Sequence, residues 1–434
     1  MFELYLITFN CARNLVDPES LAPSLFDAHL PSSASVPDVV AISLQEAAPI
    51  AYSFLGGSYL TPYFDRVSAT VKLAAKLRSD GTEQLDHVAT RSLGMTALMI
   101  FAKPQFTERI QWMQSAGAGV GLWNMGNKGA VAMRMGVSCA SPDDVLGITF
   151  TAAHLAPMEA NVEARNRDWE KIVRNMVFLN NDTSGYSSSE ELPLLSSVSD
   201  PPPENTGLFA PENHLFFAGD LNYRTSDNAP GPDAHQTYPQ LALSESSEDQ
   251  FARLLKKDQL IREMDANRTL HGLEELPITF PPTYKYTLRK VQRLGPHKRS
   301  TSDLNQKWGW AKHRYPSWCD RILFLPPPPS APRLDGQKYI ALPVQPTSDH
   351  RPVALFMRVH DAPLKVGIQG DVGARSPFPI NPNWRVRRDT ARRLEIVVGI
   401  FSYLALTKKG NAIVVAVGGV AFACWWMATW LQSR

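Results

Sequence analysis

The sequence is poor in cysteine and nearly balanced in charge. Its four cysteines, Cys11, Cys139, Cys319 and Cys424, are scattered over 434 residues without CxxC spacing, which argues against a disulfide framework or a zinc site and suits a reducing compartment. Lys and Arg (44) almost cancel Asp and Glu (42), leaving a formal net charge of +2. No global field favours a nucleic-acid coat or an acidic partner, so any such binding must come from local patches. Charge-free apolar runs of membrane-spanning length are absent until the last segment. With 44% apolar and 20% charged residues the chain has ample material for a core, which excludes wholesale disorder and allows two or three average domains or one large α/β domain with appendages.

The exception is Ala412 to Leu431, twenty residues without a charge. At about 1.5 Å per residue they span a hydrocarbon layer of roughly 30 Å. With no polar face, the segment reads as a transmembrane tail anchor (412–431) rather than a buried core helix. The N-terminal MFELYLITFN lacks a basic n-region and carries Glu3 inside its apolar run, so it reads as a first strand rather than a signal peptide. A spanning segment that comes last leaves the preceding domain in the cytosol, and Lys408 and Lys409 agree with the positive-inside tendency. The endoplasmic reticulum is the expected membrane.

Apolar runs rich in β-branched residues occur at Phe2–Phe9, Val39–Leu44, Met95–Phe101, Lys128–Met135, Leu146–Ala153, His214–Ala218, Arg321–Leu325 and Val353–Val359, and read as strands. Helical spacing is clearest over Met158–Leu179, where Val162, Trp169, Ile172, Val173, Met176 and Leu179 form one stripe. Arg165 falls on that stripe. A charge on an apolar face needs a partner or snorkels along the surface, and the spacing alone leaves both readings open. Residues 180–207 hold seven serines and three consecutive prolines and read as an inserted loop. Five arginines and one acid between Arg385 and Arg393 read as a basic linker (363–393) facing anionic lipid. The apolar stretch 394–406 reads as an interfacial helix, too short to span comfortably.

The chemistry-bearing residues stand in short polar clusters at strand ends: Asn10, Glu46, the GNKG with Lys128, His154, the GDLNYR with Asp220 and Asn222, the PPTYKY with Tyr284 and Lys285, the RYPSWCDRI with Asp320, and the SDH with Asp349 and His350. α/β enzymes build sites in this way. Phosphoester hydrolysis needs a hard cation on oxygen ligands, which Glu46 and Asn10 can supply. It needs a carboxylate base for water, and Asp220 with Asn222 two residues on shares one face of an extended segment. Charge growing on the phosphate calls for donors such as His154 and His350, with Asp320 orienting His350.

Asn10, Glu46, the GDxN of Asp220 and Asn222 and the SDH of 348–350 resemble the endonuclease/exonuclease/phosphatase superfamily. The strings GNKG, HLAPMEANVEARNRDW, GDLNYR, PITFPPTYKY and RYPSWCDRI are similar, in order, to the inositol polyphosphate 5-phosphatases. The resemblance implies an α/β fold, a DNase I-like four-layer sandwich of two packed mixed β-sheets flanked by helices, over residues 1–362, to which the C-terminal transmembrane helix is added. It further implies Mg²⁺ on Glu46 assisted by Asn10, Asp220 as general base, Asn222 positioning water, His154 and His350 at the transition state, and Asp349 assisting the metal or leaving group. Lys128, Arg165 and Asn166 would lie at the head group, while Tyr284, Lys285, Lys312 and Arg314 would grip the neighbouring 4-phosphate. Phe9 stands where the family usually has Trp, Thr287 where Asp is common, and Ala152–Ala153 where a polar pair is usual.

With a tail anchor and six basic residues between Lys285 and Arg299, the expected substrate is a phosphoinositide lipid, phosphatidylinositol 4,5-bisphosphate first and soluble inositol polyphosphates second. No nucleic acid is expected. The rival readings are a membrane-tethered nuclease and a non-catalytic phosphoinositide-binding tether.

Overall fold

The structure, a computed structural model, describes residues 1–29, 35–139, 144–178, 206–239, 245–288, 308–329, 331–364 and 376–433. Two mixed sheets make its centre. One has six strands in the order β12 (Asp335–Ala341), β13 (Val353–Val359), β1 (Phe2–Asn10), β2 (Val39–Gln45), β4 (Thr96–Ala102) and β3 (Asp86–Leu93). The other has five, in the order β11 (Asp320–Phe324), β8 (Asn213–Asp220), β7 (Val145–His154), β6 (Gly129–Ser138) and β5 (Ile110–Gly119). A ribbon pairs β9 (Tyr286–Leu288) with β10 (Trp308–Trp310). Each large sheet contains one parallel pair, β1–β2 and β7–β8, among antiparallel neighbours.

Helices α1 (Pro18–Leu21), α2 (Ile50–Leu55), α3 (Thr61–Arg78) and α4 (Pro104–Thr107) come from the first half of the chain. They are followed by α5 (Val162–Asn175), α6 (Glu245–Leu255) and α7 (Gln259–Asp265), then by α8 (Trp384–Leu406) and α9 (Lys408–Gln432). Alternating side chains on β1 go to different layers, which is why its apolar run is nearly unbroken. Leu4 and Leu6 join Ile148, Phe150 and Phe216 between the sheets, whereas Tyr5, Ile7 and Phe9 pack outward with Leu21, Val67 and Val71. On the far side Leu215 and Phe217 meet Trp169 and Ile172 of α5. The four layers are therefore helix, sheet, sheet, helix, as the family resemblance implies.

All eight strands expected from apolar runs are present. Five further strands were not expected: β9 and β10 of the ribbon, and β3, β5 and β12 of the large sheets. β3, β5 and β12 are sheet edges, where one side is solvated and a sequence such as DGQKYIA carries no continuous apolar run. α5 is shorter than its stripe: Met158 lies in the preceding turn with φ +75°, and Leu179 falls outside the described residues, as do nearly all of 180–207 and 289–307.

The C-terminal division needs correction. One helix, α8, runs through the expected boundary between linker and interfacial segment at 393/394, so residues 384–393 are helical and continuous with 394–406. Its inner face is docked on the domain: Ala391, Glu395 and Gly399 are buried, and Arg392 Nη1 donates to Phe54 O at 2.8 Å. Its outer face leaves Ile396, Val397, Ile400 and Phe401 exposed. Among the described residues α9 is the one helix long and apolar enough to cross a membrane, and its apolar window is not buried in the protein.

Candidate active site

In a parallel pair both strands end at the same edge of the sheet. Asn10 of β1 therefore stands beside Gln45 of β2, one residue before Glu46, and His154 of β7 stands beside Asp220 of β8. Antiparallel β11 begins where β8 ends, pairing Asp320 with Asp220. β13 begins where β1 ends, which brings in His350 three residues before its start. Residues scattered over 340 positions thus meet at one end of the sandwich, around a cleft of about 510 Å³.

Asp220 is the hub. Asn10 Nδ2 donates to its Oδ2 at 2.9 Å, His154 Nε2 lies 3.2 Å from the same oxygen, and Asn222 N donates to Oδ1 at 3.1 Å. Lys128 Nζ also reaches His154 Nε2. Burial alone would raise the Asp220 pKa, but His154, His350 and Lys128 outweigh it and hold the carboxyl well below its ordinary range. Burial and the Lys128 charge lower the His154 pKa, so that ring is neutral at pH 7. Burial also lowers the Lys128 pKa, opposed by Asp220 and Glu46.

Asp320 builds a second arm. Its Oδ2 accepts from Thr283 Oγ1 at 2.7 Å and lies 2.9 Å from His350 Nδ1. Burial disfavours a charged His350, yet Asp320, Asp220 and Asp349 raise its pKa to about 9. His350 is thus an imidazolium at neutral pH, its ring 4.5 Å from that of Tyr284. Ser348 locks the arm to β1, donating from Oγ to Asn10 O at 2.6 Å and accepting from His350 N at 3.0 Å.

Backbone conformation aims two of these groups. Glu46 and Asn222, each just after a strand, have φ of +46° and +58°, a region costing a residue with a Cβ about 1 kcal/mol. Glu46 is oriented by Arg13, whose Nε lies 3.0 Å from Oε2. A Cβ on Gly219 would come within 2.0 Å of Ala153 O. That crowding accounts for small residues immediately before both His154 and Asp220.

The cleft is lined by ten of the expected residues: Asn10, Glu46, Lys128, His154, Asp220, Asn222, Tyr284, Lys285, Asp349 and His350. Asp320 stands behind His350, fully buried, and Lys285 Nζ pairs with Asp349 Oδ2 at 2.5 Å. Asn222 commits its side chain to Leu155 O and Arg224. Four other expected residues do not line the cleft either. Arg165 is fully buried behind it and donates to Ala156 O, Met158 O, Glu159 O and Gln259 Oε1. Asn166 is tied to Tyr223 and Glu263. Arg165 braces the turn after His154 through Nη1 and Nη2, and Asn166 is held on the far side by Tyr223 and Glu263, so neither side chain lines the cleft. Lys312 is exposed, and Arg314 turns toward Glu159 at 3.6 Å.

Four further residues contribute, three of them, Arg224, Thr283 and Ser348, inside the GDLNYR, PPTYKY and SDH motifs. Arg224 lines the cleft, holds Asn222 and lies 4.3 Å from the Tyr284 ring centre; its place inside GDLNYR was the available signal. Ser348 sits inside the SDH motif and Thr283 inside PPTYKY, from where it acts on Asp320, whereas Arg13 acts on Glu46 through a contact that no spacing announces.

Hydroxyl, carboxylate and amide oxygens suit a hard cation. Asp220, Asp320 and His350 offer ligand atoms within 4.8 Å of one another, but His350 Nδ1 is occupied by Asp320. Asp220 and Glu46 offer carboxylate oxygens and Asn10 an amide oxygen at the same end of the cleft, a donor set of the right chemistry for such an ion, with Asn10 Oδ1 already accepting from Ala12 N at 2.9 Å.

The family model described as Endonuclease/Exonuclease/phosphatase family 2 matches residues 7–356. The chain belongs to that family. Among curated family relatives, phosphatidylinositol 3,4,5-trisphosphate 5-phosphatase 2B of Danio rerio is 29% identical over 266 residues, 59% of this chain and 18% of that protein. Polyphosphatidylinositol phosphatase INP53 of Saccharomyces cerevisiae is 28% identical over 322 residues, 73% of this chain and 23% of that protein. The chain thus spans about a fifth of the length of the curated relatives it matches. The crystal structure of the inositol polyphosphate 5-phosphatase domain of SPsynaptojanin, in complex with inositol (1,4)-bisphosphate and calcium ion, has a TM-score of 0.57 at 21% identity. It covers 91% of this chain and 90% of that one. At that identity the likeness establishes a shared fold.

Proposed function

We propose that this family member is a metal-dependent phosphoinositide 5-phosphatase, converting phosphatidylinositol 4,5-bisphosphate to phosphatidylinositol 4-phosphate at a cytosolic membrane face. The observation that carries the reading is the meeting of Asp220 with Asn10 and His154 at 2.9 and 3.2 Å, in a cleft that also presents Arg13, Lys128, Arg224 and Lys285. Such a density of cations suits a ligand bearing several phosphates. The names of the curated relatives support the same substrate class.

Asp220, ionised and aimed by Asn10 and the Asn222 N–H, accepts the proton of the attacking water. His350, charged at neutral pH, donates to the phosphoryl oxygens as negative charge accumulates there, while neutral His154 contributes a second donor. Lys128 swings its charge from the histidine to the phosphate. Entry of the phosphate draws Lys128 and His350 away from Asp220 and so restores basicity to that carboxylate. Tyr284 and Lys285, steadied by Asp349, hold the neighbouring 4-phosphate, with Lys312 and Arg314 joining from the rim. Mg²⁺ bound by Glu46 and Asn10 would polarise the phosphate and neutralise the leaving oxygen.

α9 supports a tail anchor from residues 412–431, and the endoplasmic reticulum is the proposed membrane. The exposed apolar side of α8 and its arginines would rest on the anionic leaflet. The test is phosphate release from phosphatidylinositol 4,5-bisphosphate by the full chain in mixed micelles with Mg²⁺. Cleavage of DNA without phosphate release would replace the reading with a nuclease, and lipid binding without turnover with a tether.

A further inference from the structure

The β5–β6 loop that carries Lys128 is held from outside by α8. Gly126 N donates to Glu395 Oε1 at 2.6 Å, and Glu395 is 2% exposed. The loop has no slack there. A Cβ on Gly126 would come within 2.9 Å of Gly94 N, one on Gly94 within 2.2 Å of Gly126 O, and Met95 N donates to that oxygen at 3.0 Å. Gly126 is clamped between the β3–β4 turn on one side and Glu395 on the other. Two residues on, Lys128 reaches His154 in the cleft.

Glu395 has a second partner on its own helix, Arg392 Nη1 at 3.5 Å from Oε2, but α8 is held by contacts beyond position 395 as well. The helix is also seated by Arg392 on Phe54 O, by Gly399 against Phe54, and by Tyr403 against Tyr52 and Tyr59 with ring centres 6.3 and 5.5 Å apart. A buried carboxylate costs stability unless it is hydrogen-bonded, and this one is aimed at a backbone N–H of the loop that carries Lys128. Bonds from N–H to a carboxylate are short and roughly twice as strong as neutral ones.

We propose that Glu395 is a positioning residue for Lys128: through Gly126 it fixes the seat of the β5–β6 loop, so that the helix leading to α9 sets the geometry of the cleft. The catalytic consequence rests on the phosphatase reading, whereas the placement of the loop does not. The experiment compares the full chain in detergent with Glu395→Ala, Glu395→Gln and Tyr403→Ala. Two quantities are read: amide hydrogen exchange over residues 120–128, and kcat and KM on a water-soluble short-chain phosphatidylinositol 4,5-bisphosphate.

Glu395→Ala should raise exchange in that segment about ten-fold and lower kcat by a similar factor with KM little changed. Glu395→Gln, which keeps an acceptor, should stay close to the unaltered chain in both. Tyr403→Ala, which loosens the far end of α8, should leave both unchanged. Exchange and kcat of Glu395→Ala equal to those of the unaltered chain would overturn the proposal. So would equal damage from Glu395→Gln or from Tyr403→Ala. Absence of any turnover by the unaltered chain would instead sink the phosphatase reading, and the exchange measurement would still decide the latch.

Discussion

Asp220 and Asp320 face each other across the antiparallel β8–β11 pair, two fully enclosed carboxylates with different partners. Asp220 is bound by Asn10 and His154, Asp320 by Thr283 and His350. Like charges this close are tolerated only because cations stand beside them. The imidazolium of His350 and the ammonium of Lys128 supply that charge, and a phosphate entering the cleft would draw on the same two groups.

Asp220→Asn removes the proposed proton acceptor while keeping the shape and most hydrogen bonds of the site. It should lower kcat by about 10²- to 10⁴-fold without loss of the folded state, as judged by circular dichroism. Phosphate release at the unaltered rate would eliminate Asp220 as the base.

The His350 pKa of about 9 predicts an alkaline limb in kcat/KM as the imidazolium deprotonates. Asp320→Asn removes the first partner holding that charge, and the limb should move toward lower pH. The same shift bears on stability. Because the folded value is raised above the usual 6.5, the contribution is complete below about pH 6.5 and is lost as pH rises through 9. Thermal unfolding between pH 6 and 10 measures it. A limb unmoved by Asp320→Asn would separate that carboxylate from His350.

Arg165→Met should behave as a stability variant. It removes the bonds to Ala156 O, Met158 O, Glu159 O and Gln259 Oε1 and leaves the Ala156 carbonyl without a donor, and a buried unpaired group costs about 1–3 kcal/mol. A lower denaturation midpoint with KM unchanged at permissive temperature is expected. A raised KM at unchanged stability would return Arg165 to the ligand.

Chelation should abolish turnover, and Mg²⁺ should restore it. Glu46→Gln should raise the Mg²⁺ concentration needed for half-maximal rate. Activity that survives exhaustive chelation would rule out the metal reading.

Removing residues 408–432 should release the chain from membranes while α8 remains docked. Flotation on vesicles decides this, and a truncated chain that still floats completely would assign membrane attachment elsewhere, with the outer face of α8 the first place to look.

The sequence by itself determined the inner strands and the chemical groups at their ends, and through the family resemblance of its motifs it implied the sandwich. Buried strands need unbroken apolar runs, and catalysis needs particular side chains at their ends, so both leave marks in order along the chain. Edge strands β3, β5 and β12 left none, since a half-solvated strand needs no such run. Tertiary structure alone decided which groups face the cleft. Arg165 matches a motif and occupies an apolar stripe, yet its direction is fixed by carbonyls of a turn six to nine residues away and by Gln259, far along the chain. The same holds for Glu395, which looks like a flaw in an apolar segment until the fold sets it against Gly126. Hydrogen-bond partners are chosen by position in space, and only the folded sheets bring residues 126 and 395, or 10, 220 and 350, within reach of one another.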